Sequence, residues 1–228
     1  MPATTLADLL ERNASHASSL PAGYFTTVEE AQEPAAVSVC CSDSRVSQEG
    51  MWSIESPGWL FTPSTIGNQV WDLVDGELVV DGSVLYPILY TNTRVTVVVG
   101  HTGCGAITAA LASVNGEEGS HPPGIAKWVN LLETVVERGL ERDDINPSSE
   151  HLIDQLVEFN VDRQVSFLRE SDAVPSEEII YGFVYDFQGT YGETPGIAYL
   201  VNLDGVTDVK AIRDSVPERF SSHVRRLT

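Results

Sequence analysis

Cys41, Asp43 and Arg45 lie within one five-residue stretch, Cys-Ser-Asp-Ser-Arg, and His101 and Cys104 lie within a later His-Thr-Gly-Cys. Two thiolates and an imidazole are a zinc-binding set. Structural zinc sites close with four Cys or His ligands, whereas two Cys and one His leave a position for water or substrate. Asp43 and Arg45 are two residues apart, so on an extended or tightly turned segment they point the same way. The guanidinium can then grip the carboxylate with two hydrogen bonds. Taken singly, a buried cysteine is small apolar filling and a histidine near a strand end is a hydrogen-bonded core residue. The combination in two short clusters is what points to a metal.

Each cluster follows an apolar, β-branched run, 35–39 before the first and 95–100 before the second. These read as buried parallel strands. In an open α/β sheet, ligands gather beyond the carboxyl ends of the strands, so the donors meet if these strands are neighbours. The expected fold is α/β, with a mostly parallel central sheet flanked by helices. Cys40 precedes Cys41 on the first strand, where neighbours face opposite ways, and is read as core. Residues 6–16 look helical, with Leu6, Leu9 and Leu10 on one face. Residues 59–61 form a short strand that Pro63 limits. Asp81 offers an N-cap to a helix over 84–89 that carries Tyr86, with Pro87 tolerable only in its opening turn. A helix beginning at 104 or 105 and running through 111 sets the second cluster at a positive helix end that favours thiolate. After an acidic, Gly-rich loop over 115–124, residues 127–138 show an apolar helical stripe. Pro147 and Ser149 start a further helix through 168, and 178–187 reads as a strand.

The motifs Cys-x-Asp-x-Arg at 41–45 and His-x-x-Cys at 101–104, each after a strand, resemble those of the β-class carbonic anhydrases, as does Asn160-Val161-x-x-Gln164. The resemblance extends from about residue 6 to residue 187. It implies that Cys41, His101 and Cys104 bind Zn2+ and that Asp43 and Arg45 form a catalytic dyad beside the metal. It also implies that Gln32, Phe61 and Tyr86 line the substrate pocket, Gln32 donating to bicarbonate and the two rings walling an apolar slot for carbon dioxide. The implied reaction is attack of zinc-bound hydroxide on carbon dioxide, with Asp43 accepting the hydroxide hydrogen. In one subgroup Arg restrains Asp and the metal stays open; in the other the Asp swings onto zinc. The three pocket residues favour the open form. Ser64 and Thr65 stand where the family often carries Arg-Asn, and only Asn68 keeps that pattern. The resemblance further implies a single domain over 1–228, an N-terminal helical arm that embraces a partner, a hairpin after Tyr185-Asp186 in a C-terminal sheet, and a homodimer or larger homo-oligomer. Two alternatives stay open: hydrolysis of carbon disulfide or carbonyl sulfide on the same fold, and a non-catalytic zinc protein closed by Asp43.

The composition bounds the rest. The 228 residues, 42% of them hydrophobic, can bury one sizeable core. Three cysteines do not make a disulfide framework. No apolar stretch of about 18 residues could cross a bilayer, and the first residues lack the basic and apolar regions of a signal peptide, so a cytoplasmic location is expected. The chain carries 33 acidic against 13 basic residues, a formal net charge of −20, which repels nucleic acid and anionic membranes. Only Lys127 and Lys210 are lysines. The composition resembles that of halophilic archaeal proteins, where strong salt screens self-repulsion.

Overall fold

The computed structural model describes residues 4–117 and 121–228, so the loop expected over 115–124 is described only at its two ends. In chain order the elements are α1 (Leu6–Ser19), β1 (Ala36–Cys41), α2 (Gln48–Met51), β2 (Leu60–Phe61), β3 (Ser64–Thr65), a 3-10 turn (Ile66–Asn68), β4 (Trp71–Val74) and β5 (Glu77–Val80). There follow α3 (Gly82–Tyr90), β6 (Val95–His101), α4 (Gly105–Val114), α5 (Pro123–Leu140), α6 (Leu152–Glu170), β7 (Ile179–Asp186), β8 (Ile197–Leu203), α7 (Val209–Ser215) and a second 3-10 segment (Glu218–His223).

The main sheet runs in the order β2, β1, β6, β7, β8, with β3 also on β1. β1 pairs β6 in parallel from Val37↔Thr96 to Cys40↔Val99, and β6 pairs β7 in parallel along its whole length. β8 returns antiparallel beside β7, so the hairpin expected after Asp186 is present. β2 and β3 are two halves of one edge. Val37 faces Phe61 and Cys40 faces Ser64 in continuous register, and the break falls at Pro63. Proline cannot donate to a ladder, but the Pro63 carbonyl still accepts from the Cys40 N–H at 3.1 Å.

Side-chain alternation along these strands feeds two apolar layers. Val37, Val39, Cys41, Val98 and Val184 pack with Ile107, Leu132, Leu156 and Val161 of the helices, while Ala36, Cys40, Val97 and Val99 join Met51 and Trp52 on the opposite face. Cys40 is therefore core, as expected. Two glycines let α6 approach the sheet. A Cβ on Gly100 would lie 2.8 Å from side-chain atoms of both Val157 and Val161, and one on Gly182 would lie 2.7 Å from Val161.

Some boundaries differ from the sequence reading. α6 starts at Leu152 rather than at 147 or 149, because side chains capture the preceding donors locally: Asn146 Oδ1 accepts the Ser148 N–H and Ser149 Oγ accepts the His151 N–H. α5 starts at Pro123, where proline suits the first helical position. Pro87 lies inside α3, past the opening turn. Its carbonyl closes the helix end, accepting both the N–H and the hydroxyl of Thr91. The Asp81 cap is as expected, its carboxylate accepting the Ser83 N–H at 2.8 Å. The β4–β5 hairpin was not anticipated. Asp75 and Gly76, with φ of 51° and 87°, supply the two left-handed residues of a tight hairpin turn. Among the described residues no helix is long and apolar enough to cross a membrane.

Candidate metal centre

Three elements deliver the donors. Cys41 is the last residue of β1, His101 the last of β6, and Cys104 the N-cap of α4. Their ligand atoms all lie within 4.8 Å of one another and all three residues are buried. The two sulfurs are 3.9 Å apart. His101 places its Nδ1 3.0 Å from the Thr102 carbonyl, which fixes the ring. Its Nε2 is buried without a hydrogen-bond partner. Because a desolvated ring nitrogen without a partner is unfavourable, that atom is oriented for a ligand from outside the chain.

The electrostatics suit a dication. The Cys104 thiol hydrogen-bonds to Cys41 and draws the Cys41 pKa down, against burial, with help from His101 and the Gly67 N–H. The same contact, then burial, pushes Cys104 up. Burial, the largest influence on His101, lowers its pKa, but the Cys41 sulfur and the Thr102 carbonyl raise it overall. A metal ion among these atoms would balance two thiolates and engage the idle nitrogen, so the residues fit zinc. Cys40, on the other face, has its thiol pushed up to about 12 by burial and stays out of the cluster.

Asp43 and Arg45 sit beside this set. Arg45 Nε donates to Asp43 Oδ1 at 2.8 Å and Nη2 to Oδ2 at 2.7 Å, while its backbone N–H adds a bond to Oδ1 at 2.9 Å. This grip holds the Asp43 carboxyl well below the usual carboxylate range. Asp43 Oδ2 lies 3.6 Å from His101 Nε2. Arg45 also reaches the Gly103 carbonyl at 3.3 Å and lies 4.6 Å over the Phe187 ring, which stacks on His101.

Several supporting residues were not singled out from the sequence. Gly103 bridges the two later donors with φ of 62°, and its N–H donates to Asp154 Oδ1 at 2.8 Å. Asp186, buried, accepts N–H bonds from Gln188, Gly189, Thr190 and Tyr191 and so shapes the turn that carries Phe187. In the sequence Asp186 reads only as the start of the hairpin, without this role beside Phe187. The reach of Asp154 from α6 had none.

The pocket residues lie apart from the cluster. Phe61 pairs with Val37, four residues before Cys41 on β1, a separation of about 13 Å along a strand. Tyr86 on α3 meets Phe61 with ring centroids 6.2 Å apart in a tilted contact, and Tyr90 lies beyond Tyr86 at 5.4 Å. Gln32 is exposed in the segment before β1. Within one chain the structure thus unites Cys41, Asp43, Arg45, His101 and Cys104, and separately unites Phe61 with Tyr86. Ser64 and Thr65 make local bonds: Ser64 accepts from Gln48 Nε2 at 3.0 Å, and the Thr65 hydroxyl donates to the Gln69 carbonyl at 2.9 Å.

Residues 36–191 match the family profile described as carbonic anhydrase. The chain is 29% identical to carbonic anhydrase 2 of Mycobacterium tuberculosis over 191 residues, 83% of this chain and 81% of that protein. It is 30% identical to the carbonic anhydrase of Pseudomonas aeruginosa over 169 residues, 72% of this chain and 74% of that one. Among solved structures, the Coccomyxa β-carbonic anhydrase in complex with acetazolamide superposes with a TM-score of 0.64 at 26% identity, covering 80% of this chain and 82% of that one.

Proposed function

The chain belongs to the carbonic anhydrase family, in its β class, and from that membership we propose how its residues divide the work of hydrating carbon dioxide to bicarbonate. Its cofactor is zinc, which when bound lowers the pKa of a water toward about 7 and so supplies the nucleophile at neutral pH. Cys41, His101 and Cys104 hold it. The observation that carries the division of roles is the threefold hold of Arg45 on Asp43 beside the idle His101 nitrogen. Arg45 would keep Asp43 ionised and engaged, so that Asp43 would not serve as a further ligand. Asp43, restricted to accepting, would accept a hydrogen bond from the nucleophile and so orient it toward carbon dioxide. Arg45 and the buried thiolates also balance one another's charge.

Gln32, Phe61 and Tyr86 complete the substrate pocket between two copies of the chain, Gln32 donating to bicarbonate and the two rings forming an apolar wall. Supporting this, α1 buries none of its residues and exposes Leu6, Leu9 and Leu10, while the hairpin and α3 expose Leu73, Leu78, Leu89 and Tyr90. Exposed apolar residues in such numbers mark association surfaces, and a homodimer or a larger homo-oligomer is the occupant. The chain acts as one domain with α1 as its arm, and its acidic composition suits the salt-rich cytoplasm of a halophilic archaeon.

The test is stopped-flow carbon dioxide hydration across pH in molar salt, with metal content measured on the same sample. Activity that rises with deprotonation of one group is expected. Asp43→Asn should keep its zinc and lose about 100-fold in rate, within the range for a proton-handling side chain. Full activity in that variant would remove Asp43 from the mechanism, and a zinc-replete but inactive wild type would overturn the activity.

A further inference from the structure

Four amide side chains, Asn68, Gln69, Asn160 and Gln164, are buried together behind the metal centre. Amides in a core are unfavourable unless hydrogen-bonded, and here their bonds converge on one turn. Gln164, a helical turn beyond Asn160 on α6, donates to Asn160 Oδ1 at 2.9 Å and accepts the Val70 N–H at 2.9 Å. Asn160 Nδ2 donates to the Gly67 carbonyl at 3.0 Å and to Asn68 Oδ1 at 3.3 Å. Gln69 Nε2 donates to the Ile66 carbonyl at 2.9 Å and to the Trp128 carbonyl at 3.1 Å, and its Oε1 accepts from Trp71 Nε1 at 2.7 Å.

A trans peptide points its C=O and N–H in opposite directions. Gln69 takes the Ile66 carbonyl, so the N–H at the other end of that peptide, belonging to Gly67, points the opposite way, in a segment that pairs with the end of β1 at Cys41↔Thr65, and it acts as a backbone donor that lowers the Cys41 pKa. Asn160 fixes the next peptide through the Gly67 carbonyl. Gly67 is needed between them, because its φ is 69° and a Cβ there would lie 2.7 Å from Leu132 Cδ1.

We infer that Gln69 and Asn160 are positioning residues of the metal centre: they lock the two peptides flanking Gly67 and so hold its N–H on the Cys41 sulfur. The inference rests on the metal reading above and adds a hydrogen bond to one chosen ligand. Partners of this kind, one step out from the ligands, change metal affinity by about 10- to 100-fold.

The test is NMR of the protein loaded with cadmium-113. In the wild type, the Gly67 amide proton should show scalar coupling to the cadmium across the N–H···S bond. Gln69→Glu keeps the acceptor for Trp71 and removes the donor to Ile66, and Asn160→Ser removes the donor to Gly67. Each should diminish the coupling and speed metal loss to a chelator by about tenfold. Leu168→Ala, a buried apolar change farther along α6, should leave the coupling intact. A wild type that binds no cadmium overturns the metal reading itself. Cadmium bound without the Gly67 coupling, or a coupling equal in wild type and both amide variants, overturns only the role of the amides. The wild-type spectrum decides the matter even where a variant does not fold.

Discussion

Replacing Gly103 by alanine probes how the loop between His101 and Cys104 is held. Gly103 has φ of 62°, and an added Cβ would lie 2.7 Å from Gln188 Oε1 and 2.9 Å from its Nε2. The two effects differ in size. Gln188 is exposed and meets the new methyl with the tip of a flexible side chain, which can swing into solvent. The backbone has no such freedom, because the Gly103 N–H is bonded to Asp154 and its carbonyl to Arg45. A side chain in the left-handed region costs about 1–2 kcal/mol, a factor of roughly 5 to 30 in the folded population. Urea unfolding of metal-free wild type, Gly103→Ala, Gln188→Ala and the double variant separates the terms. Gly103→Ala should lose about 1–2 kcal/mol, and adding Gln188→Ala should recover less than about 0.5 kcal/mol, the scatter expected of uncoupled sites. A single variant as stable as wild type would mean that the loop relaxes freely. Full recovery in the double variant would mean that sterics, not backbone conformation, set the penalty. Either result refutes the reasoning.

Three further outcomes are expected. Burial raises the Glu158 carboxyl above the ordinary glutamate range, despite Arg226 and the donors of Tyr191, Leu227 and Thr228. Its stabilising contribution is therefore complete at pH below the unfolded value and lost as pH rises through the elevated folded one. Glu158→Gln should flatten the stability–pH curve in that window, and curves that stay parallel in urea titrations would exclude the linkage. With a net charge of −20, the melting temperature should climb as salt is raised from about 0.1 M to 1 M, because the Debye length falls from about 10 Å to 3 Å; a flat scanning-calorimetry series would contradict this. Leu9→Asp together with Tyr90→Asp should shift the sedimentation coefficient toward that of the monomer, and an unchanged value would place the subunit contact elsewhere.

The chemistry of the centre was legible in the sequence because its parts are local. Cys41, Asp43 and Arg45 share a pentapeptide, His101 and Cys104 share a tetrapeptide, and each follows a β-branched strand whose end is easy to find. The α/β class and the parallel pairing of β1 with β6 follow from the same runs. The contribution of α6 was not legible. In the sequence Asn160 and Gln164 stand out only as a fragment resembling the family and Asp154 not at all, and packing over Gly100 and Gly182 is what carries them to the back of the site. The Asp75-Gly76 hairpin did leave a sequence signal, a turn pair between two apolar runs. The start of α6 was misjudged because Pro147 and Ser149 are good opening residues whose neighbours' donors are claimed by a local turn. Gln32, Phe61 and Tyr86 rest on the family resemblance alone, and within one chain Phe61 and Tyr86 meet each other away from the donors.

The register of β1 against β6 also bears on the order in which the centre assembles. His101 and Cys104 are near neighbours in sequence, whereas Cys41 lies about sixty residues upstream and reaches them only once the two strands have paired. The donor set is thus a short chelate with one distant arm. Closing that arm costs chain entropy that grows only slowly with loop length, a cost that strand pairing meets when it precedes the metal. Metal captured early, by the local pair in an unpaired chain, would instead tether β6 while β1 is still free, and only docking of Cys41 would complete it. Late loading onto a finished sheet therefore meets all three donors at once, and the tightness of the site becomes a measure of how completely two remote segments have found their register.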